Sequence, residues 1–332
     1  MRRARPAIVL LGCLIAGRPA VAQSPATNPA APPAFVLAVD EGGTLLPIAR
    51  VAGGRWLNTW PEPEEDSKPV PALAAVPRAW LDRPVPSEWT LWPTGGGPTR
   101  MTITGTARSG GCVVSPKLTL PERRFPPEGA YDQVHPGLAT TEGGAVRAIE
   151  MMAGRSMRAP LPAAGAILDR ARPVIASLFA THQKEALARA PEFAVAQASA
   201  PLDTLLASSE PRLEWLYRVV SPGATVVYFE ASKRPPPATS YSRLTVIGWL
   251  RIDGAAVTPI GIETYVGFDE SPPEATDLIA NVSDRIPLGV VRAGPQDVWV
   301  METPSGESHA FVLYDVGSRA ARRLLRVDAG GC

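Results

Sequence analysis

Between Arg243 and Val266 the chain alternates apolar and polar residues with a period of two, broken once by an Asp-Gly step. No other stretch constrains the fold as strongly. Leu244, Val246, Leu250 and Ile252 fall on one side, and Arg243, Thr245, Trp249 and Arg251 on the other. That is the pattern of a strand with one apolar and one solvated face. Asp253-Gly254 turns the chain. A loop of Ile252-Asp253-Gly254, with Gly254 left-handed, sets Val246 against Ile260 and Leu244 against Ile262. A two-residue Asp253-Gly254 loop would instead set Leu244 against Glu263, because a slip of one residue exchanges the faces. The stretch therefore predicts a hairpin closed by a three-residue loop.

Similar signals recur on both sides of it. Phe35 to Val39, Thr44 to Ala49 and Val51 to Leu57 predict a three-stranded meander across Asp40-Glu41-Gly42-Gly43 and Gly53-Gly54. Pro47 and Pro259 each sit in the second strand of a hairpin, which places them at an edge or a bulge. This echo fits an ancient duplication or two ordinary hairpins with shared turn chemistry. Arg100 to Thr106 and Cys112 to Leu120 predict another hairpin, and Ala145 to Met152 suits a strand or a helix. Arg212 to Val220 pairs with Thr225 to Ala231, Asp297 to Glu302 pairs with His309 to Tyr314, and Leu324 to Val327 closes the block. Asp269 to Pro287 reads as irregular.

From Pro162 to Ala200 the period moves toward 3.6, so a helical segment separates the β regions. Pro173 predicts a break or kink that leaves Val174 to Ala190 as the better helix, and Pro191 ends it. The fold class is α+β and predominantly antiparallel β, with meanders arranged as a sandwich, a barrel or propeller-like blades around a central helical segment. The organisation is a signal peptide (1–22), a flexible leader (23–33), an N-terminal β region with a Trp/Pro-rich loop (34–160), a helical connector (161–210) and a C-terminal antiparallel β region (211–332).

The first 22 residues carry the plainest functional signal. Arg2, Arg3 and Arg5 form a basic start, Ala7 to Ala16 a short apolar core, and Ala20-Val21-Ala22 a small-x-small cleavage site. Export to the periplasm or the extracellular space follows, with no transmembrane segment, since the apolar run falls short of the roughly 18 residues a span needs. Leu10-Leu11-Gly12-Cys13 resembles a lipoprotein box, but cleavage before Cys13 would strand Leu14 and Ile15 in the mature chain. Removing residues 1–22 takes away four arginines and leaves 29 basic against 32 acidic residues, a net charge of −3. With no large basic cluster, nucleic acid is excluded as a partner. Cys112 and Cys332 remain for a disulfide in an oxidising compartment. Its 221-residue loop limits the stabilisation to about 5 kcal/mol.

Candidate chemistry is sparse. Trp56, Trp60, Trp89 and Trp92 lie among prolines in a segment that packs ring on proline or presents a platform for a sugar or a proline-rich peptide. Glu230 and Glu263, near Tyr228 and Tyr265, are strand carboxylates. They read as surface residues or as the acid pair of a glycosidase. Gly306-Glu307-Ser308-His309-Ala310 is one residue from a nucleophile elbow, but a strand rather than a helix follows Ser308. His135, His182 and His309 are scattered, and His182 falls on the apolar stripe of the helix. No metal or nucleotide motif is present and no cofactor is expected. The reading is a binding or structural protein whose partner is a glycan or a protein, with a secreted hydrolase as the alternative.

Overall fold

The computed structural model describes residues 34–58, 72, 85–93, 97–108, 116–121, 137–154, 160–190, 201–221, 224–235, 242–268, 285–305 and 308–331. The first sheet contains β1 (Phe35–Asp40), β2 (Thr44–Ala52), β3 (Arg55–Leu57), β4 (Glu88–Trp92), β5 (Thr99–Thr102), β6 (Gly105–Arg108), β7 (Pro116–Thr119) and β8 (Gly137–Thr140). Its order is β5-β4-β8-β1-β2-β7-β6, with β3 also paired to β2. The expected β1–β2–β3 meander is present, and Pro47 lies at the register shift between β1 and β2. The terminal strands β5 and β6 are joined only by Ile103 and Thr104, a link of at most about 11 Å. Ile103 N–H donates to Ser87 O and Thr104 N–H to Thr119 O, each at 2.9 Å. The sheet therefore curls until its two ends meet, around a core that includes Leu37, Ile48, Trp89 and Leu138.

This curl splits the strand expected over Arg100 to Thr106. Arg100 pairs with β4, whereas Gly105–Arg108 pair with β7. Alternation identifies a strand's faces but not its neighbour, so the change of partner at Ile103 leaves no mark in the sequence.

After β8 the chain leaves this sheet at once. β9 (Ala145–Arg147) and β10 (Glu150–Gly154) follow as short strands. A 3-10 turn (Pro162–Ala164) then leads into α1 (Gly165–Ala188), and α2 (Leu202–Ala207) comes next. The remaining strands are β11 (Arg212–Ser221), β12 (Ala224–Lys233), β13 (Ser242–Asp253), β14 (Ala256–Phe268), β15 (Ile286–Ala293), β16 (Gln296–Ser305), β17 (Ser308–Val316) and β18 (Ala321–Gly331). An outer sheet has the order β10-β11-β12-β13-β14, and a middle sheet the order β18-β17-β16-β15-β9. The strands of residues 145–154, expected with the N-terminal region, thus pair with the C-terminal strands.

Three apolar interfaces stack these elements into four layers. α1 packs Ile167, Ile175, Leu178 and Phe179 on Leu216, Phe229, Val246 and Leu250 of the outer sheet. The opposite face of the outer sheet sets Tyr217, Tyr228, Ile247 and Trp249 against Trp299, Met301, Val312 and Tyr314 of the middle sheet. The middle sheet's other face meets the curled sheet through Val298, Val300, Phe311 and Leu313. The face of β13 read as solvated is therefore covered, with Thr245, Ile247 and Trp249 all buried. Among the described residues no helix is long and apolar enough to cross a membrane.

Two local expectations need correction. The central hairpin pairs Asp253 with Ala256 and Trp249 with Ile260, so its loop is Gly254-Ala255 rather than three residues. Gly254 is left-handed as expected, at φ +56°. Beyond the turn, Ile247 pairs with Glu263, leaving an extra residue on β14 at a bulge where Gly261 has φ +57°. The bulge carries Ile260 toward the middle sheet and Ile262 toward the helix side, which pure alternation cannot encode. The second correction concerns Pro173, which stands inside α1 without ending it. Its side chain is exposed, so the lost bond to Asp169 O falls on the solvated side, while the buried stripe holds the helix on the sheet.

Candidate functional site

Toward one end of the outer sheet, the face packed on the middle sheet changes from aromatic to polar. Adjacent strands set Tyr217, Tyr228, Trp249 and Ile260 in one row, then Trp215, Glu230, Ile247 and Glu263, then Ser232, Thr245 and Tyr265. The aromatic rows form a continuous ladder. Ring centroids are 6.4 Å apart for Trp215 and Tyr217, 6.3 Å for Tyr217 and Tyr228, and 5.4 Å for Tyr228 and Trp249. From Trp249 the ladder crosses to the middle sheet, 5.0 Å to Tyr314 and 6.2 Å to Trp299. Tilted and edge-on contacts of this kind add to plain burial.

The polar end holds two buried carboxylates on one face. Glu230 is 2 % exposed and Glu214 5 %. Ser232 Oγ donates to Glu214 Oε1, and Arg234 Nε lies 3.6 Å from the same oxygen. Glu263 accepts from both terminal nitrogens of Arg285, at 3.0 Å for Nη1 to Oε1. The Arg285 guanidinium lies 5.8 Å from the centre of the Tyr314 ring. Burial works to lower the pKa of Arg285, but its hydrogen bonds to the Glu263 carboxylate and the surrounding negative potential outweigh it and hold the group charged. Burial, helped by the nearby Glu230 charge, pushes the Tyr217 phenol well above its usual range. Tyr314 is raised chiefly by burial, with Arg285, Arg323 and Arg326 opposing the rise.

The residues expected from the sequence are not brought together. Glu230 and Glu263 flank Ile247, two strand spacings or about 10 Å apart, at the wide limit for a glycosidase pair. Glu230 is not the surface residue its position implied, and Glu263 is taken up by Arg285. Ser308 begins β17 opposite Ser305 and Gly331, with His309 next in the same strand, so no helix follows it. Trp89 lies in the core at 1 % exposure and donates from Nε1 to Pro86 O. Trp92 is half-buried and donates from Nε1 to Thr140 Oγ1 at 3.1 Å. Trp56, also half-buried, meets the Phe35 ring edge-on at 5.8 Å. Trp60, Cys13, Cys112, Cys332 and His135 lie outside the described residues. His182 is half-buried with Nδ1 4.0 Å from Glu185.

Among the described residues no group of three or more His, Cys, Asp or Glu is arranged to hold a metal ion. Sequence reasoning passed over Glu214, Ser232, Arg285, Arg323 and Arg326. The only sequence signal for the last two was Arg322-Arg323-x-x-Arg326, masked by reading the last strand as Leu324 to Val327. Comparison with protein-family models, with curated proteins and with solved structures finds no match.

Proposed function

We propose that this chain is an exported protein with a binding or structural role outside the cytoplasm, acting after loss of residues 1–22. Its partner is a glycan or another protein, and a Cys112–Cys332 disulfide braces the mature chain. The export reading rests on the basic start, the short apolar core and Ala20-Val21-Ala22. The observation that carries the binding reading is the engagement of the strand carboxylates. Glu263 is held in the Arg285 fork and Glu230 is buried, so neither stands ready as the acid or base of a hydrolase.

The test is direct. Mature protein recovered from cell fractions should begin at Gln23, and the purified chain should leave polysaccharide and peptide panels uncut while retaining one of them on an array. Cleavage that disappears in the Glu230→Gln/Glu263→Gln/Ser308→Ala variant would replace this reading with the hydrolase. Recovery of an unprocessed N-terminus in the cytoplasm would remove export.

A further inference from the structure

The two sheets of the sandwich do not end together. Tyr314 and Val312 of β17 are opposite Arg323 and Arg326 of β18, so both arginines stand on the face that elsewhere packs against the outer sheet. Tyr314 and Val312 are buried, yet Arg323 and Arg326 are exposed. The outer sheet stops at β14, which comes against β18 where Gly261 meets Ala321. Past that contact, among the described residues, the inner face of β18 is an open step.

A third arginine reaches the same step from β15's side, where Arg285 lies over the Tyr314 ring. Among the described residues, carboxylates engage two of the three arginines. Glu263 holds Arg285, and Asp328 accepts from Arg326 at 2.9 Å in an exposed pair that solvent screens to little net worth. Arg323 has no ion pair among the described residues. One planar fork satisfies a carboxylate, as that of Arg285 does for Glu263, whereas a tetrahedral group with three acceptor oxygens suits donors from several arginines.

We infer that Arg285, Arg323 and Arg326 form an oxyanion site on this step, which takes a phosphate or sulfate group carried by a larger ligand. The inference rests on the sheet geometry and not on export. Arginines that merely guard a sheet edge would supply charge without a defined site, and the experiment separates the two.

Inorganic phosphate and sulfate are titrated into the mature chain while the arginine Nε–H resonances are followed. The expected result is saturable shifts at Arg285, Arg323 and Arg326 with none at Arg319, and at least tenfold weaker binding in both Arg323→Gln and Arg326→Gln. The control Arg319→Gln, an exposed position outside the step, should bind as the wild type. Both β18 variants replace exposed side chains, so an unchanged urea midpoint shows that the fold is retained. A sulfated polysaccharide and phosphatidylglycerol vesicles then distinguish a glycan from a lipid source. Shifts that never saturate, or equal losses in Arg319→Gln and Arg323→Gln, would mean edge charge and an adventitious ion only, overturning the inference. So would binding that appears only after Asp269, Glu270, Glu274, Asp277 and Asp284 are neutralised, because the occupant would then be the chain's own acidic stretch.

Discussion

Gly261→Ala tests the close approach of the two sheet edges. A Cβ at Gly261 would stand 2.4 Å from the Ala321 Cβ and 3.3 Å from the Ala321 nitrogen, well inside the roughly 3.5 Å at which two carbons repel. Both atoms are fixed to backbone, so only parting β14 from β18 relieves the overlap, at about 1–3 kcal/mol. The left-handed backbone adds about 1–2 kcal/mol for any residue with a Cβ, giving a loss of about 2–5 kcal/mol. Gly254→Ala isolates the backbone part, since Gly254 has φ +56° and nothing within 4 Å of the added carbon. Its loss should be about 1–2 kcal/mol. Ala321→Gly alone should cost about 0.5–1 kcal/mol, but combined with Gly261→Ala it should recover the steric share. The cycle then shows a favourable coupling of about 1–3 kcal/mol. Urea unfolding followed by tryptophan fluorescence measures each corner, with an unchanged m value confirming that stability alone moved. A coupling within about 0.5 kcal/mol of zero would refute the edge-to-edge contact and the open step drawn from it.

Three further outcomes follow from the packing. Pro173→Ala should stabilise the chain by about 1–2 kcal/mol, since it restores the hydrogen bond to Asp169 O and improves helix propensity, less a gain in unfolded-chain entropy; a lower urea midpoint would contradict the exposed placement of this proline. Trp249→Ala should cost about 3–5 kcal/mol and collapse the near-ultraviolet dichroism of the aromatic ladder, and retention of that signal would show the rings are not coupled. Tyr217 and Tyr314 are both held above the ordinary phenol range, mainly by burial. Near pH 10 the unfolded chain loses these protons first, so stability is complete below about pH 10 and falls above it, Tyr217 contributing up to about 1.4 kcal/mol per pH unit and Tyr314 adding in the same direction. Urea midpoints between pH 8 and 11 should show the fall, and Tyr217→Phe should reduce its slope; a flat profile to pH 11 would dispose of the argument.

Strands that carry their own turn chemistry were legible. β1, β2, β13 and β14 announce themselves by alternation next to Gly-containing turns, and both strand prolines sit where the missing N–H is tolerated, Pro47 at a bulge and Pro259 on the edge strand β14. What stayed hidden depends on a third partner. β15 went unassigned, with Ile286 and Pro287 inside the irregular stretch and Leu288 to Ala293 given no element, because Pro287 and Gly289 flank its bulge and because a strand covered on both faces loses alternation. The extra residue at Gly261 and the change of partner at Ile103 are set by neighbours outside the local pattern, Ala321 for the first and Ser87 and Thr119 for the second. Glu230 looked like a surface residue because a carboxylate on a strand usually is one, and only the stacking of the middle sheet over the outer one reverses that.

The buried polar end remains to be accounted for, and Glu214 decides how. Removing two carboxylates from water is costly, and an apolar row of similar volume would hold a sandwich together as well or better. Glu214→Met alone leaves the Ser232 hydroxyl, 1 % exposed, without its acceptor, so a loss of about 1–3 kcal/mol is expected. Glu214→Met/Ser232→Ala removes both partners together. Arg234 keeps access to water, with 30 % of its side chain exposed. The double variant should therefore recover most of the loss by urea unfolding, because two apolar groups of similar shape replace a pair whose net worth is small. Recovery would mean that stability does not require these polar groups, which leaves recognition at this end of the sandwich as the reason they stand where an apolar row would serve. If the double variant is as unstable as Glu214→Met, the pair belongs to a larger network that the fold cannot replace, and a binding role for this end loses its argument.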